Sequence, residues 1–170
     1  MMRFSLICIG RMKAGADKEL FDRYMDRARK SGRALGITDV GLSEMQESRA
    51  QRAEDRKADE ARAILASFPA GGKLVVLDEN GKNLTSPAFS GRLEKWKDDG
   101  APDIVFAIGG ADGHGQEVLA RADLKLALGA MTWPHQIARI LLAEQIYRAI
   151  TIQSGHPYHQ IGRASCRERV

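Results

Sequence analysis

The 170-residue sequence predicts one α/β domain: a five- to six-stranded, mostly parallel sheet with helices on both faces. Three observations lead there. Apolar, β-rich runs alternate with stretches of helical period along the whole body, the pattern of strand–helix–strand crossovers. One of those runs, "LVVL" at 74–77, is continuously apolar, as a strand covered on both faces must be. With 44% hydrophobic residues the chain is long enough for one core and short for two.

The elements follow in order. "RFSLICIG" at 3–10 is a strand closed by Gly10, and "ADKELFDRYMDRARKSG" at 16–32 puts Leu20, Tyr24 and Ala28 at helical spacing before stopping at Gly32. "ITDVGLS" at 37–43 is a weaker strand. In "ESRAQRAEDRKADEARAILASF" at 47–68 charges alternate, with Arg56 and Glu60 four apart, which predicts a solvated helix; the balanced signs favour this over an RNA-binding face. "KLVVLDENGKN" at 73–83 is strand then turn. "SPAFSGRLEKWKDDG" at 86–100 reads as a helix with Ser86 as N-cap, Pro87 at the first helical position and Gly100 as its end. "DIVFAIGG" is the next strand, "ADGHGQEVLARA" a Gly-rich loop entering a short helix, and "LKLALGAM" at 124–131 the last strand. The final helix, opened by Pro134 and capped by Thr132, is apolar round most of its circumference from Ile137 to Ile150. A surface helix would show one stripe, so this one is expected to be buried on more than one side. Glu144 and Arg148 stand at i,i+4 on it, as a salt bridge would.

Composition excludes several classes. No apolar run approaches the ~18 residues of a membrane span, and the N-terminal run is too short and too strand-like for a signal peptide. A cytoplasmic protein is expected. Cys8 and Cys166 give neither a disulfide framework nor metal spacing. The net charge is +4, of which residues 160–170, with three Arg and one Glu, supply +2. An anionic partner would therefore meet a local patch rather than an overall field.

In parallel sheets ligands sit beyond the carboxyl ends of the strands, which directs attention to "LDENGK" at 77–82, "IGGADGHG" at 108–115 and "LGAMTWP" at 128–134. The glycines at 109, 110, 113 and 115 do not follow the dinucleotide order, and no P-loop is present. Adjacent glycines do let a backbone approach a flat ligand closely, and a side chain at Gly109 is expected to enter that ligand's space. In the third loop Gly129 and Ala130 leave room, while Met131 and Trp133 offer apolar walls. That suits an adenosine-like ligand held by main-chain contacts, although Trp133 could equally be a core aromatic. Arg11 and Lys13 read as phosphate contacts or as plain surface charge.

"LDENGKNLTSPAF", "FAIGGADGHG", "LALGAMTWPHQIARILLAEQIYRA" and "GHPYH", in that order, resemble the bacterial RlmH family of large-subunit rRNA pseudouridine methyltransferases, minimal SPOUT enzymes. The likeness spans about residues 2–159, read as a single SPOUT domain, with 160–170 a foreign or disordered extension. The resemblance implies a C-terminal trefoil knot, an exception to the rule against knots, and a homodimer that uses the last helix. It implies S-adenosylmethionine bound by Leu77, Gly109, Gly110, Leu128, Gly129, Ala130, Met131, Thr132 and Trp133. It also implies methyl transfer to N3 of a pseudouridine in 23S rRNA, with the assembled ribosome as the expected substrate. His159 is then the expected base or proton relay and Tyr158 a positioner, with His135 and Arg139 as second catalytic candidates. No metal is expected, since His156 and His159 lack a third ligand at suitable spacing. The family usually has Arg or Lys after Tyr-His, where Gln160 stands here. The competing readings are a knotted RNA-binding dimer without activity and, more distantly, a nucleotide-binding oxidoreductase.

Overall fold

The computed structural model of the protein describes residues 1–160; the predicted extension beyond Gln160 lies outside the described residues. The order is β1 (Met2–Ile9), α1 (Ala16–Gly32), a 3-10 turn (Arg33–Leu35), β2 (Ile37–Met45), α2 (Ala53–Ala66), β3 (Lys73–Lys82), α3 (Ser86–Asp98), β4 (Asp103–Ile108), α4 (Gln116–Arg121), β5 (Leu124–Leu126), α5 (His135–Ser154) and a closing 3-10 turn (Pro157–Gln160). The strands form one sheet in the order β2-β1-β4-β3-β5. Every pairing in it is parallel, as the alternation of strand and helix requires.

Period-two alternation divides β1 between two cores. Phe4, Leu6 and Cys8 join Phe21, Met25, Phe89, Leu93 and the buried side of α5 on one face of the sheet. Ile7 and Ile9 join Ala61, Ile64 and Val118 on the other. So α1, α3 and α5 cover one face, and α2 with α4 the other. Central β4 is buried at every residue, which explains its apolar run from Ile104 to Ile108; the buried Asp103 at its start is paired with Arg3. Burial also pushes the Cys8 thiol up to about 12, so it is an inert part of the core. Among the described residues no helix is long and apolar enough to cross a membrane.

Four local expectations are corrected. Thr85, not Ser86, caps α3, with its hydroxyl accepting from the Ala88 amide at 3.2 Å; Ser86 instead donates to Gln145 Oε1 at 2.6 Å, fastening α3 to α5. Pro134 is itself the residue before α5, with extended backbone (ψ 150°), and Thr132 does not cap the helix. The last strand ends at Leu126 rather than 131, because after the Ala127 amide donates to Lys82 the chain turns out into a loop. Finally, Arg56 and Glu60 do not pair on a solvated face: Arg56 binds Asp112, and Glu60 is buried.

At the far end of β3 the pairing slips between Leu77 and Lys82. A Cβ at Gly81 would lie 2.7 Å from the Lys125 carbonyl, so only glycine lets this bulged end close on β5. The result brings the ends of β3, β4 and β5 to one rim of the sheet.

Candidate active site

A cleft of about 410 Å³ opens at that rim. Its walls are the segments that follow β3, β4 and β5. Leu77, Gly109, Gly110, Leu128, Gly129, Met131, Thr132 and Trp133 all line it, together with His135 from the first turn of α5. Ala130 belongs to the same loop but does not line the cleft. Three turns distant in sequence therefore share one cavity, of a size ordinary for small-molecule sites.

The glycines shape it. The turn after β4 is closed by the Gly113 amide donating to Gly110 at 3.0 Å, with Gly113 at φ +87°. A Cβ at Gly109 would lie 3.0 Å from the Gly113 carbonyl carbon, so a side chain there collides with the turn itself. The turn itself is thus a second reason for glycine at 109, beside the ligand space the sequence predicts. At Gly110 a Cβ would come within 2.9 Å of Glu60 Oε1. In the third loop the Gly129 amide donates to Asn83 Oδ1 at 3.0 Å, and Trp133 Nε1 donates to the Leu128 carbonyl at 2.8 Å. The indole is thus pinned as a wall rather than absorbed in the core: Trp133 is 42% and Met131 77% exposed. Large apolar side chains held open at a cleft are what a ligand face requires.

His114, which glycine spacing does not single out, is half-buried in the lining. Its Nε2 lies 3.2 Å from the Ala107 carbonyl, which can only accept, so Nε2 carries the proton. Burial holds its pKa below the usual value against that hydrogen bond, and the ring is neutral at neutral pH. The sequence signal for it is the one histidine in "GADGHG", which glycine spacing alone does not weigh. Asp78, Glu79 and Asp112 also line the cleft, giving it an acidic side. Hydrogen bonding from Arg56 keeps the Asp112 carboxyl below its usual range.

Arg139 does not open into this cleft. It is 3% exposed, and its guanidinium donates to Glu44 Oε2 at 2.7 Å and to the Gly10 carbonyl at 2.8 Å. With Arg11, Gly110 and His135 it lines a separate hollow of about 110 Å³ beside the cleft. Burial pushes the Glu44 carboxyl up, but the Met12 amide and Arg139 outweigh it and hold it below the usual range.

Tyr158 and His159 lie elsewhere. Neither lines the cleft: helix α5 starts there with His135 and runs to Ser154, and the turn that follows folds back along it to Glu144 and Arg148. There the Tyr158 ring packs 4.5 Å from that of Tyr147, and its hydroxyl donates to Glu144 Oε1 at 3.2 Å. Glu144 also receives the Arg148 guanidinium at 2.6 Å, the i,i+4 pair the sequence predicts. Burial, then hydrogen bonding with Tyr24 and the charge of Glu144, raise the Tyr158 pKa, so this phenol stays protonated. His159 Nδ1 lies 2.6 Å from the His156 carbonyl, which leaves Nε2 as its basic nitrogen.

Comparison with known proteins identifies the frame around this cleft. The family description "Predicted SPOUT methyltransferase" matches residues 2–159. The chain belongs to the SPOUT methyltransferase family. It is 55% identical over 159 residues to the ribosomal RNA large subunit methyltransferase H of Brucella anthropi, covering 94% of this chain and 99% of that protein. The proteins of the same name from Chelativorans sp. and Xanthobacter autotrophicus are 52% and 50% identical over 159 residues, covering 91% and 99% of their lengths. SPOUT methyltransferases take their methyl group from S-adenosylmethionine. The rim cleft fits that donor: glycine turns where no side chain has room, apolar walls at Leu77, Met131 and Trp133, and acidic lining at Asp78 and Glu79 that suits a cation.

Proposed function

We propose that this SPOUT protein is a 23S rRNA methyltransferase of the large ribosomal subunit, which transfers the methyl of S-adenosylmethionine to N3 of a pseudouridine. The observation that carries the reading is the convergence of Leu77, Gly109 and Met131 on one cleft. The printed names of the relatives supply the substrate class, and the resemblance supplies the atom. Bound at this rim, the donor brings an electrophilic methyl. The chain's own work is then to exclude water, align the attacking nitrogen and take its proton.

Met131 and Trp133 form the walls that exclude water, and the backbone of 128–133 holds the donor by main-chain contacts. Gly109 and Gly110 let the β4 turn lie close against it. His135 is the base candidate at the cleft itself. His159 Nε2 is the other, and it is not among the residues that line the cleft of its own protomer. The reading therefore includes a homodimer in which Tyr158 and His159 of one copy complete the cleft of the other, with Tyr158 orienting His159 and not acting as a base. The C-terminal knot and a cytoplasmic, ribosome-bound working place belong to the same reading. So does Arg139, as a strut that fixes the first turns of α5 beside His135.

The test is direct. Ribosomes lacking the modification are incubated with the protein and S-adenosylmethionine, and the rRNA is digested. A gain of one methyl on a pseudouridine, at N3 by fragmentation, is expected. No gain, even from a chain ended at His159, would favour a SPOUT-fold binding protein without activity.

A further inference from the structure

Helix α2 is not among the walls of the cleft, yet it holds the cleft's glycine turn at three points along one face. Arg56 Nε and NH2 donate to Asp112 Oδ2 and Oδ1 at 2.7 and 3.1 Å, a two-pronged pair. One residue on, the Lys57 carbonyl lies where a Cβ at Gly115 would meet it at 2.6 Å, so the turn's last glycine is pressed on the helix backbone. One helical turn beyond Arg56, the buried Glu60 stands against Gly110 with Oε1 lacking a hydrogen-bond partner.

The same two side chains also grip a second segment. Arg56 NH1 donates to the carbonyls of Ala50 and Gln51 at 3.1 and 2.9 Å. Glu60 Oε2 accepts from the Ser48 amide at 2.9 Å. This segment, 46–52, carries Arg49 and Arg52, both outside the cleft. A single guanidinium thus joins a turn of the donor cleft to an arginine-bearing loop that the donor does not reach.

We infer that Arg56 is a positioning residue that couples donor binding at the 109–115 turn to the ordering of the 46–52 segment, which then meets an anionic RNA strand in fixed form. The inference rests on the rim cleft being the donor site. Its physical basis is the planar fork of arginine: one face answers a carboxylate and the other two carbonyls, so moving either loop disturbs the other. Reciprocity follows, since RNA that orders 46–52 must tighten the donor by the same factor.

Hydrogen exchange on the full-length protein, with and without S-adenosylmethionine, tests it. In the parent protein the donor should slow exchange at 109–115 and 128–133, and also at 48–52. In Arg56→Gln the slowing at 48–52 should vanish while that at 128–133 persists, and donor affinity should fall about tenfold. Arg56→Lys, which keeps the charge but not the fork, should behave like Arg56→Gln. In a cycle with Asp112→Asn the double variant should lose no more affinity than Arg56→Gln alone. Protection at 48–52 that is absent in the parent, or retained in Arg56→Gln, overturns the coupling while leaving the donor site intact. No protection at 109–115 or 128–133 overturns the donor site, and the coupling with it.

Discussion

Arg139 and Glu44, 95 residues apart in sequence, meet at 2.7 Å beneath the loop that follows β1, with the guanidinium side chain 4% exposed and the carboxylate 24%. Glu44 also accepts from the Met12 amide, and Arg139 also donates to the Gly10 carbonyl, so the pair ties β2, the β1 loop and α5 together. Removing one partner leaves a charge without its counterion in a mostly dry place. Arg139→Met should therefore lower unfolding free energy by about 3 kcal/mol, read as a shift of the urea midpoint. A change below about 0.5 kcal/mol would mean the pair is no more than a surface bridge.

The pH dependence of that pair has a definite sign. The Glu44 carboxyl is held below the ordinary 4.5, so its contribution is fully present above that value and is lost as pH falls through the folded pKa. Acid unfolding followed by circular dichroism should begin at higher pH for the parent than its neutral-pH stability implies, and Glu44→Gln should flatten the dependence below pH 4.5. An identical acid limb in parent and variant would remove Glu44 from the account.

His114 follows the same rule with the same sign. Its folded pKa lies below the ordinary 6.5, so the neutral ring stabilises the cleft above that value and protonation opposes it as pH falls. Donor affinity by calorimetry should weaken as pH falls below 6.5, and His114→Asn should bind with little pH dependence in that range. A parent affinity that is flat from pH 7 down to 5 would contradict the half-buried neutral ring.

How much of this was legible beforehand follows from sequence separation. The five strands and the parallel sheet are written locally, as apolar runs, although β5 stops at Leu126 where its apolar run continues, and the loops after β3, β4 and β5 share one rim. Choosing between Thr85 and Ser86 as N-cap was beyond a sequence reading, since both hydroxyls suit the role and only backbone dihedrals decide. Arg139 with Glu44, Arg56 with Asp112, and His114 with the Ala107 carbonyl are pairings set by tertiary approach. A sequence window around Arg56 shows only Glu60 one turn away, and the alternating charges there suggest a surface helix. What betrays the burial of Glu60 is the packing of Gly110 on it, which no local pattern encodes.

Gly109→Val should abolish measurable donor binding while the protein still folds. The added branches would collide with the Gly113 carbonyl 3.0 Å from the first new atom, and the turn has no slack because Gly110 and Gly115 are already pressed on α2. Calorimetry with S-adenosylmethionine reads the loss, and circular dichroism verifies the fold. Unchanged affinity would show that the turn does not form part of the donor site.

The separation of His159 from the cleft makes the last prediction the sharpest. If His159 of one copy serves the cleft of another, His159→Ala should cut turnover by about a hundredfold or more while donor affinity stays near the parent value. Gly109→Val should do the reverse, losing the donor but keeping its own His159. Each variant alone is then inactive, but subunits exchanged between the two should recover activity. In such a mixed dimer one cleft is doubly damaged and the other intact, because the intact donor site belongs to the His159→Ala copy and the intact His159 to its partner. Methyl incorporation into ribosomes lacking the modification, after mixing and subunit exchange, reads the recovery. No recovery from a mixture shown by mass to contain mixed dimers would mean that His159 acts within its own protomer or not at all, leaving His135 as the base at the cleft.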